Sequence, residues 1–113
     1  MEVRFHHEAR REFNEAIESP PERIAMRRVI ELLEQHGDQL GAPYSSNVVG
    51  ADRLRELRPR GGRSPWRAFY RRVGDALYVG AFGPEAQSNP HGFRRAVRLA
   101  EERLSRVEQG EVR

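Results

Sequence analysis

Two predicted β-strands and the glycine turn between them make up the stretch that decides the fold, DRLRELRPRGGRSPWRAFYRRV (residues 52–73). The strands are predicted at 54–58 and 66–73, with Gly61 and Gly62 forming the turn. The stretch contains eight arginines and two acidic residues. Because strands favour β-branched and aromatic side chains, so many guanidinium groups require a structural or functional explanation.

The sequence on either side of this stretch supplies further strands. Residues 76–82 and 2–5 show the alternation of a half-buried strand. Residues 41–52 are rich in turn formers and predict a loop, with a short extended piece at 48–49. In the strand 66–73, alternation places side chains on two faces: Arg67, Phe69, Arg71 and Val73 on one, and Trp66, Ala68, Tyr70 and Arg72 on the other.

Helical periodicity precedes these strands. Apolar residues from His7 onward fall on one helical face, which predicts a first helix. A second helix is predicted after Ser19, with Pro20 in its first turn and Glu22 completing a capping box. Gly37 is a predicted C-terminal stop for that helix. The short join between the two helices predicts a helical hairpin.

A last helix follows the strands. Ser88 or Asn89 can cap it and Pro90 begins it. Its apolar residues recur every three or four positions: Phe93, Val97, Ala100, Leu104 and Val107. The order β-αα-βββ-α predicts an α+β fold, in which an antiparallel sheet packs against an N-terminal helical hairpin and a C-terminal helix. We expect a single domain over residues 1–113.

The composition excludes several classes of protein. A chain of 113 residues suits one compact domain, and no apolar run is long enough to span a bilayer. Without cysteine, a disulfide framework and thiol catalysis are both excluded. The first residues, MEVRFHHEARREF, are too charged for a signal peptide. These features predict a cytoplasmic protein that does not associate with membranes.

Positive charge is concentrated in the arginine-rich stretch. Residues 1–51 carry six arginines and nine acids, and residues 74–113 carry six of each. The net charge of +3 therefore originates in residues 52–73. Every basic residue is arginine, which stays protonated at all ordinary pH values.

Two interpretations of these arginines are open. Guanidinium groups on a strand pair are bidentate donors that match phosphate oxygens, and exposed rings among them can stack on bases. The candidate rings are Trp66, Phe69 and Tyr70. Alternatively, the arginines form a solvated strand face and pair with the surplus acids of residues 1–51.

Other candidate groups lie outside the stretch. His91, at the predicted start of the last helix, is either a general acid or base or simply an exposed histidine. The pair at residues 6–7 has no further ligands at metal-binding spacing, so no metal site is predicted. Arg94, Arg95 and Arg98 crowd a helix start, where the dipole disfavours cations, and so require an anionic ligand or nearby acids.

An ordered set of motifs resembles the RelE/HigB group of the RelE/ParE superfamily, the toxins of bacterial type II toxin–antitoxin systems. The motifs are LRELR (54–58), a glycine turn, WRAFY (66–70), ALYVGAF (76–82) and FRRAVRLAEERL (93–104). The N-terminal RFHHEARREFNEAI and the helix ending LLEQHG match the helical hairpin of that family in character and order. The resemblance covers nearly the whole chain.

This resemblance implies a RelE-like toxin that docks in the ribosomal decoding site and cleaves mRNA without metal or other cofactor. A ribose 2′-hydroxyl would attack the adjacent phosphate, and a cognate antitoxin would silence the toxin in a hetero-oligomer. Carried over by position, the motifs imply catalytic roles for Arg58 and Arg67, and we expect His91 to assist. The expected RNA-binding residues are Arg55, Arg60, Arg63, Tyr70, Arg71, Arg94 and Arg95.

The chain departs from the family pattern after the last strand. Many relatives place lysine or arginine there, whereas this sequence has Gly83-Pro84-Glu85, and Phe93 stands where some members use tyrosine. Two alternatives therefore remain beside the mRNA endonuclease. One is a gyrase poison resembling ParE, and the other is a catalytically silent module that binds an antitoxin or nucleic acid.

Overall fold

A computed structural model describes residues 1–110, so the last three residues of the predicted domain lie outside the described part. Two 3₁₀ turns, Gly37–Gln39 and Pro59–Gly62, accompany the regular elements. The strands and helices in chain order are β1 (Glu2–Phe5), α1 (His7–Ala16), α2 (Pro20–His36), β2 (Ser45–Asn47), β3 (Arg55–Leu57), β4 (Trp66–Val73), β5 (Ala76–Pro84) and α3 (Pro90–Glu108).

The five strands form one sheet in the order β1-β5-β4-β3-β2. The predicted α+β class is confirmed. The sheet is mixed rather than wholly antiparallel, because β1 runs parallel to β5 while the other three pairings are antiparallel. Alternation along a strand determines which side chains share a face, but not the direction of the neighbouring strand, so the sequence could not predict this pairing.

The helix boundaries follow the predicted signals, with one exception at the start of α2. Gly37 ends α2 with a φ of 55°, a conformation that favours glycine. Asn89 caps α3 by accepting a hydrogen bond from the backbone N–H of Gly92. The predicted capping box at Ser19 does not form, because the Ser19 side chain makes no cap hydrogen bond and Glu22 contacts a different element.

The sheet separates two apolar layers. On one face the helices α1 and α2 cover residues that include Leu57, Tyr70 and Val79. On the other face α3 covers residues that include Phe69 and Ala81. Within residues 1–110, no helix has the length and apolar character required to cross a membrane.

Glycines in β5 allow α3 to lie close to the sheet. A Cβ atom at Gly80 would be 2.8 Å from Leu104 Cγ, and one at Gly83 would overlap Ala96 Cβ. Any larger residue at either position would push the helix away from the strand. This close contact fixes the start of α3 beside the end of β5.

Side chains close the part of β5 that β1 does not reach. The last backbone hydrogen bond beside β1 runs from His6 N–H to the Val79 carbonyl. Beyond it, Glu12 accepts from the Phe82 N–H at 3.1 Å and Arg103 donates to the Gly80 carbonyl at 3.0 Å. The Glu12 carboxylate and the Arg103 guanidinium also pair with each other at 3.0 Å. Side chains of α1 and α3 thus provide hydrogen-bond partners for backbone groups of β5 that have no neighbouring strand.

We expect stability to decline in mild acid partly because of His6. This residue is buried at the N-cap of α1, where its Nδ1 accepts a hydrogen bond from the Glu8 N–H at 3.1 Å. Burial, with the nearby charges of His7 and Arg103, lowers the pKa of His6. The unfolded chain therefore binds the proton first, and His6 contributes stability above about pH 6.5 that is lost as the pH falls through the lowered folded pKa.

Urea unfolding from pH 7.5 to 5 tests this expectation against His6→Asn, which keeps a cap acceptor but does not titrate. The free energy of unfolding of the wild type should decline more steeply than that of the variant, by at most about 1.4 kcal/mol per pH unit. Parallel curves would show that His6 does not cause the loss.

Candidate anion-binding site

The two arginines with the strongest sequence prediction meet on the α3 face of the sheet. Arg58 follows β3, and Arg67 lies in β4. The Glu56 carboxylate lies between them, with its Oε1 3.6 Å from Arg58 Nε and 3.7 Å from Arg67 Nε. The fold therefore brings together two cations and one anion that are separated by up to eleven positions in the sequence.

Arg67 is a buried residue whose side chain is only 4% exposed. Its Nη1 donates to the carbonyl oxygens of Ser64 at 2.7 Å and Trp66 at 2.9 Å, and its Nη2 donates to that of Gly62 at 3.2 Å. Burial lowers the pKa of Arg67, opposed by Glu56 and aided by Arg58. Arg67 thus holds the loop between β3 and β4 in place.

Glu85 supplies a second carboxylate beside Arg67. Its Oε2 lies 4.0 Å from Arg67 Nη2, while its Oε1 accepts from the Ser88 N–H at 2.6 Å. Hydrogen bonds from Ser88 lower the pKa of Glu85, and the Arg67 charge adds to that effect. Glu85 stands where many members of the resembled family have a basic residue. It shapes the turn into α3 and balances the buried charge of Arg67.

Arg58 differs from Arg67 because its side chain is 34% exposed. Its Nε is one of two buried side-chain polar atoms without a hydrogen-bond partner in residues 1–110. The guanidinium lies over Gly62, where an added Cβ would be 3.0 Å from Nη2. Gly62 also has a φ of 99°, a backbone conformation that favours glycine. Arg58 is the partly free cation of the pair.

The other arginines of residues 52–73 have separate partners. Arg60 pairs with Glu22 of α2 at 2.7 Å, and Arg72 pairs with Asp38 after α2 at 2.6 Å. Arg53 pairs with Glu108 of α3 and with its neighbour Asp52. Within the described chain, Arg55 and Arg63 make no ion pair. Within the described residues, acids of residues 1–51 therefore pair with two of the eight arginines, Arg60 and Arg72, and do not account for the whole arginine-rich stretch.

Two predicted RNA-binding residues lie on the opposite face of the sheet. Tyr70 is buried beneath the helical hairpin, and its hydroxyl contacts Ser45 Oγ. Arg55 Nε donates to Ser45 Oγ at 3.0 Å, and its Nη1 donates to Asn47 Oδ1 at 2.7 Å. Arg55 and Tyr70 thus stabilise the β2–β3 edge, away from Arg58 and Arg67.

The expectation that the aromatic rings stack on bases is wrong for Tyr70 and Phe69. Phe69 is fully buried and packs edge-to-face on Phe93, with ring centroids 5.3 Å apart. Trp66 is partly buried against the hairpin layer. A domain of this size has few large apolar side chains, and these rings are therefore packed in its core and are not exposed to a ligand.

Arg71 is also remote from the pair, about 13 Å along β4 from Arg67 at the rise of a strand. Its side chain is buried, and its Nη1 pairs with Glu108 Oε1 at 3.0 Å. Its Nη2 donates to the Asp52 carbonyl at 2.8 Å. Arg71 therefore fastens the end of α3 to the sheet.

The start of α3 lies at the same end of the sheet as the pair, because Gly92 packs on Pro84 and Arg67 is paired with Gly83 in the sheet. His91 is exposed there and makes no hydrogen bond, ion pair or ring contact within residues 1–110.

Arg94 and Arg95 project from different sides of α3. Arg94 and Glu108 are spaced by two heptads and so share a flank of the helix, and Glu108 shows that this flank faces β4. Arg95 is 100° further round, and both arginines are exposed. Neither side chain makes a hydrogen bond or an ion pair within residues 1–110.

The site is a candidate for anion binding because Arg58 offers partly exposed donors. The charge of Arg67 behind them is balanced by the carboxylates of Glu56 and Glu85. Residues 1–110 contain no group of three or more histidine or acidic side chains arranged to hold a metal ion. The sequence motifs identified the two cations but not the role of Glu85. The negative charge of Glu85, at a place where many members of the resembled family carry a positive one, was the feature of the sequence that could have indicated this role.

These features define a small α+β protein with two arginines and two glutamates clustered at one end of its sheet. A family model for phage-derived proteins similar to Gp49 (DUF891) matches residues 4–83, and the chain belongs to this family. The family is associated with toxin–antitoxin modules. Comparison with curated proteins gave no match. The toxin–antitoxin context of the predicted resemblance is thereby supported, while RelE/HigB itself stays a prediction.

The burial of Arg71 predicts a structural role for this residue. Arg71→Ala removes two hydrogen bonds, one of which is also the ion pair with Glu108 of α3, and should lower the free energy of unfolding by about 1–3 kcal/mol. Arg63→Ala, at an exposed position of the same stretch, should change it by no more than about 0.5 kcal/mol. Urea unfolding measures both values, and equal values would contradict the assignment.

Proposed function

We propose that the protein is the toxin of a type II toxin–antitoxin module and that it cleaves mRNA in the decoding site of the ribosome, in the cytoplasm. The observation that carries this proposal is the partly exposed guanidinium of Arg58 beside the buried charge of Arg67. Such a pair can bind the scissile phosphate and stabilise the charge that builds up during an in-line displacement. The family's association with toxin–antitoxin modules supports the class of protein.

The proposed reaction uses groups of this chain alone. The ribose 2′-oxygen attacks the adjacent phosphorus and its proton passes to Glu56, the carboxylate nearest both arginines. A 2′,3′-cyclic phosphate forms as the bond from phosphorus to the 5′-oxygen breaks. His91 donates a proton to that leaving oxygen, and Arg94 holds a flanking phosphate. Arg58 neutralises the pentavalent intermediate, while Arg67 keeps the site in position.

A second function is favoured by the neutralisation of Arg67. Three backbone carbonyls take its Nη donors, and two carboxylates lie within about 4 Å of it. A site satisfied in this way does not require phosphate. The second candidate is therefore a catalytically silent module that uses its basic surface only to bind an antitoxin.

Mapping of mRNA 5′ ends in a reconstituted translation system tests the first function. The wild type should cut at the codon in the decoding site. Arg58→Ala should reduce the cleavage rate about 100-fold or more, since transition-state charge loses its donor. Arg72→Ala is a matched control, because it removes the same charge from an exposed position on the other face of β4.

Three other outcomes would contradict or redirect the proposal. Intact mRNA at high protein concentration would remove the nuclease function, and a gyrase inhibition assay would then separate a gyrase poison from the silent module. Equal cleavage by the wild type and Arg58→Ala would show that Arg58 does not carry the chemistry. Equal losses in Arg58→Ala and Arg72→Ala would indicate a general effect of charge rather than a site.

A further inference from the structure

A groove of about 420 Å³ lies between α1 and α2. Its lining residues Phe5, Phe13 and Ile30 are partly buried and pack against the apolar layer beneath the two helices. Both phenyl rings also contact Phe82 of β5, with ring centroids 6.1 Å and 5.5 Å apart. The sheet therefore holds the floor of the groove in place, and we refer to this feature as the hairpin groove.

Three arginines of the helical hairpin lie over the phenyl rings of this floor. The Arg10 guanidinium is 5.1 Å from the Phe5 centroid, which is within the range of a cation–π contact. Arg23 and Arg27 both lie over Phe13, at 5.3 Å and 5.4 Å from its centroid. One ring therefore carries two positive charges from residues one helical turn apart, and these like charges repel each other.

These guanidinium groups have no anionic partner in the described chain. The side chains of Arg10, Arg23 and Arg27 make no hydrogen bond or ion pair within residues 1–110. A shortage of acids does not explain this, because residues 1–51 contain more acids than arginines. Glu31 stands four positions after Arg27 and also lines the groove, yet the two do not pair. The guanidinium donors are thus free to bind an external anion.

The charge and the floor of the hairpin groove indicate which anion fits. The charged lining residues are two arginines, Arg10 and Arg27, and one acid, Glu31, so the lining has a net charge of +1, which matches a monoanion. A guanidinium can bind a carboxylate through two parallel hydrogen bonds, and it also stacks on aromatic rings. The Asn14 amide, exposed at the rim, is a further donor. A flat ring with one carboxylate combines these properties.

We propose that the hairpin groove binds a small aromatic carboxylate. The ring contacts the apolar floor, and the carboxylate accepts hydrogen bonds from Arg10 and Arg27 at the rim. The bound negative charge also offsets the repulsion between Arg23 and Arg27 over Phe13. The groove lies on the hairpin side of the sheet, whereas the candidate anion-binding site lies on the α3 side. The proposal therefore does not depend on RNA cleavage.

Three probes separate the contribution of the ring from that of the charge. Naphthoate has both, naphthamide keeps the ring without the charge, and acetate keeps the charge without the ring. In NMR titrations of the full chain at neutral pH, naphthoate should bind about tenfold or more tightly than either other probe. Equal binding of naphthoate and naphthamide would overturn the proposal, as would equal binding of naphthoate and acetate.

Two substitutions at the rim should change naphthoate binding in opposite directions. Arg27→Gln removes a carboxylate donor and should weaken binding about tenfold. Glu31→Gln removes the negative charge of the lining and should tighten binding about threefold. Arg28→Gln is the matched control, because Arg28 is the next residue of α2, is also exposed and does not line the groove. It should leave binding unchanged, and equal losses in Arg27→Gln and Arg28→Gln would contradict a specific site.

The Nε resonances of the arginines locate the bound naphthoate. Those of Arg10 and Arg27 should shift during the titration, while that of Arg58 should not. A shift confined to Arg58 would place the probe in the candidate anion-binding site. No arginine shift at high naphthoate concentration would show that the groove does not take this class of ligand. Either result overturns the proposal.

Discussion

The buried guanidinium of Arg67 is the interaction on which the geometry of the candidate site depends. A cation removed from water requires compensation. Here the loop after β3 supplies two carbonyl oxygens, Trp66 at the start of β4 supplies a third, and Glu56 and Glu85 supply negative charge. The loop, β3 and the turn before α3 therefore converge on one side chain. Arg58 lies next to Arg67 and keeps partly exposed donors. Of the two arginines, Arg67 therefore supports the structure, and Arg58 is the one that a ligand could reach.

The sequence was sufficient to predict the order of elements where periodicity was strong. The strand over residues 66–73, the helix ending at Gly37 and the cap at Asn89 are all confirmed. It did not predict β2, whose residues Ser45–Asn47 have little intrinsic strand preference and depend on pairing with β3. The sequence also did not predict that β1 runs parallel to β5, because the packing of the α1–α2 hairpin on the sheet determines the direction of β1.

The fold brings the two motif arginines together and separates the other predicted arginines from them. Arg58 and Arg67 meet because Arg58 directly follows β3 and Arg67 lies in the neighbouring strand β4. Arg71 has the same residue type and shares a face with Arg67, yet Glu108 from a distant helix neutralises it. Arg55 is separated from Arg58 by the sheet itself. Charge alone gives no information about such partners, because they are contributed by elements far away in the sequence.

Side-chain NMR of the arginine guanidinium groups tests the central claim most directly. If Arg67 is held by three carbonyls, rotation about its Cζ–Nη bonds will be slow, and its Nη protons will give separate resonances that exchange slowly with water. Arg58, with its exposed end, will show averaged Nη resonances that exchange rapidly. Averaged, rapidly exchanging resonances from Arg67 would show that it is not the support of the site and would contradict the account.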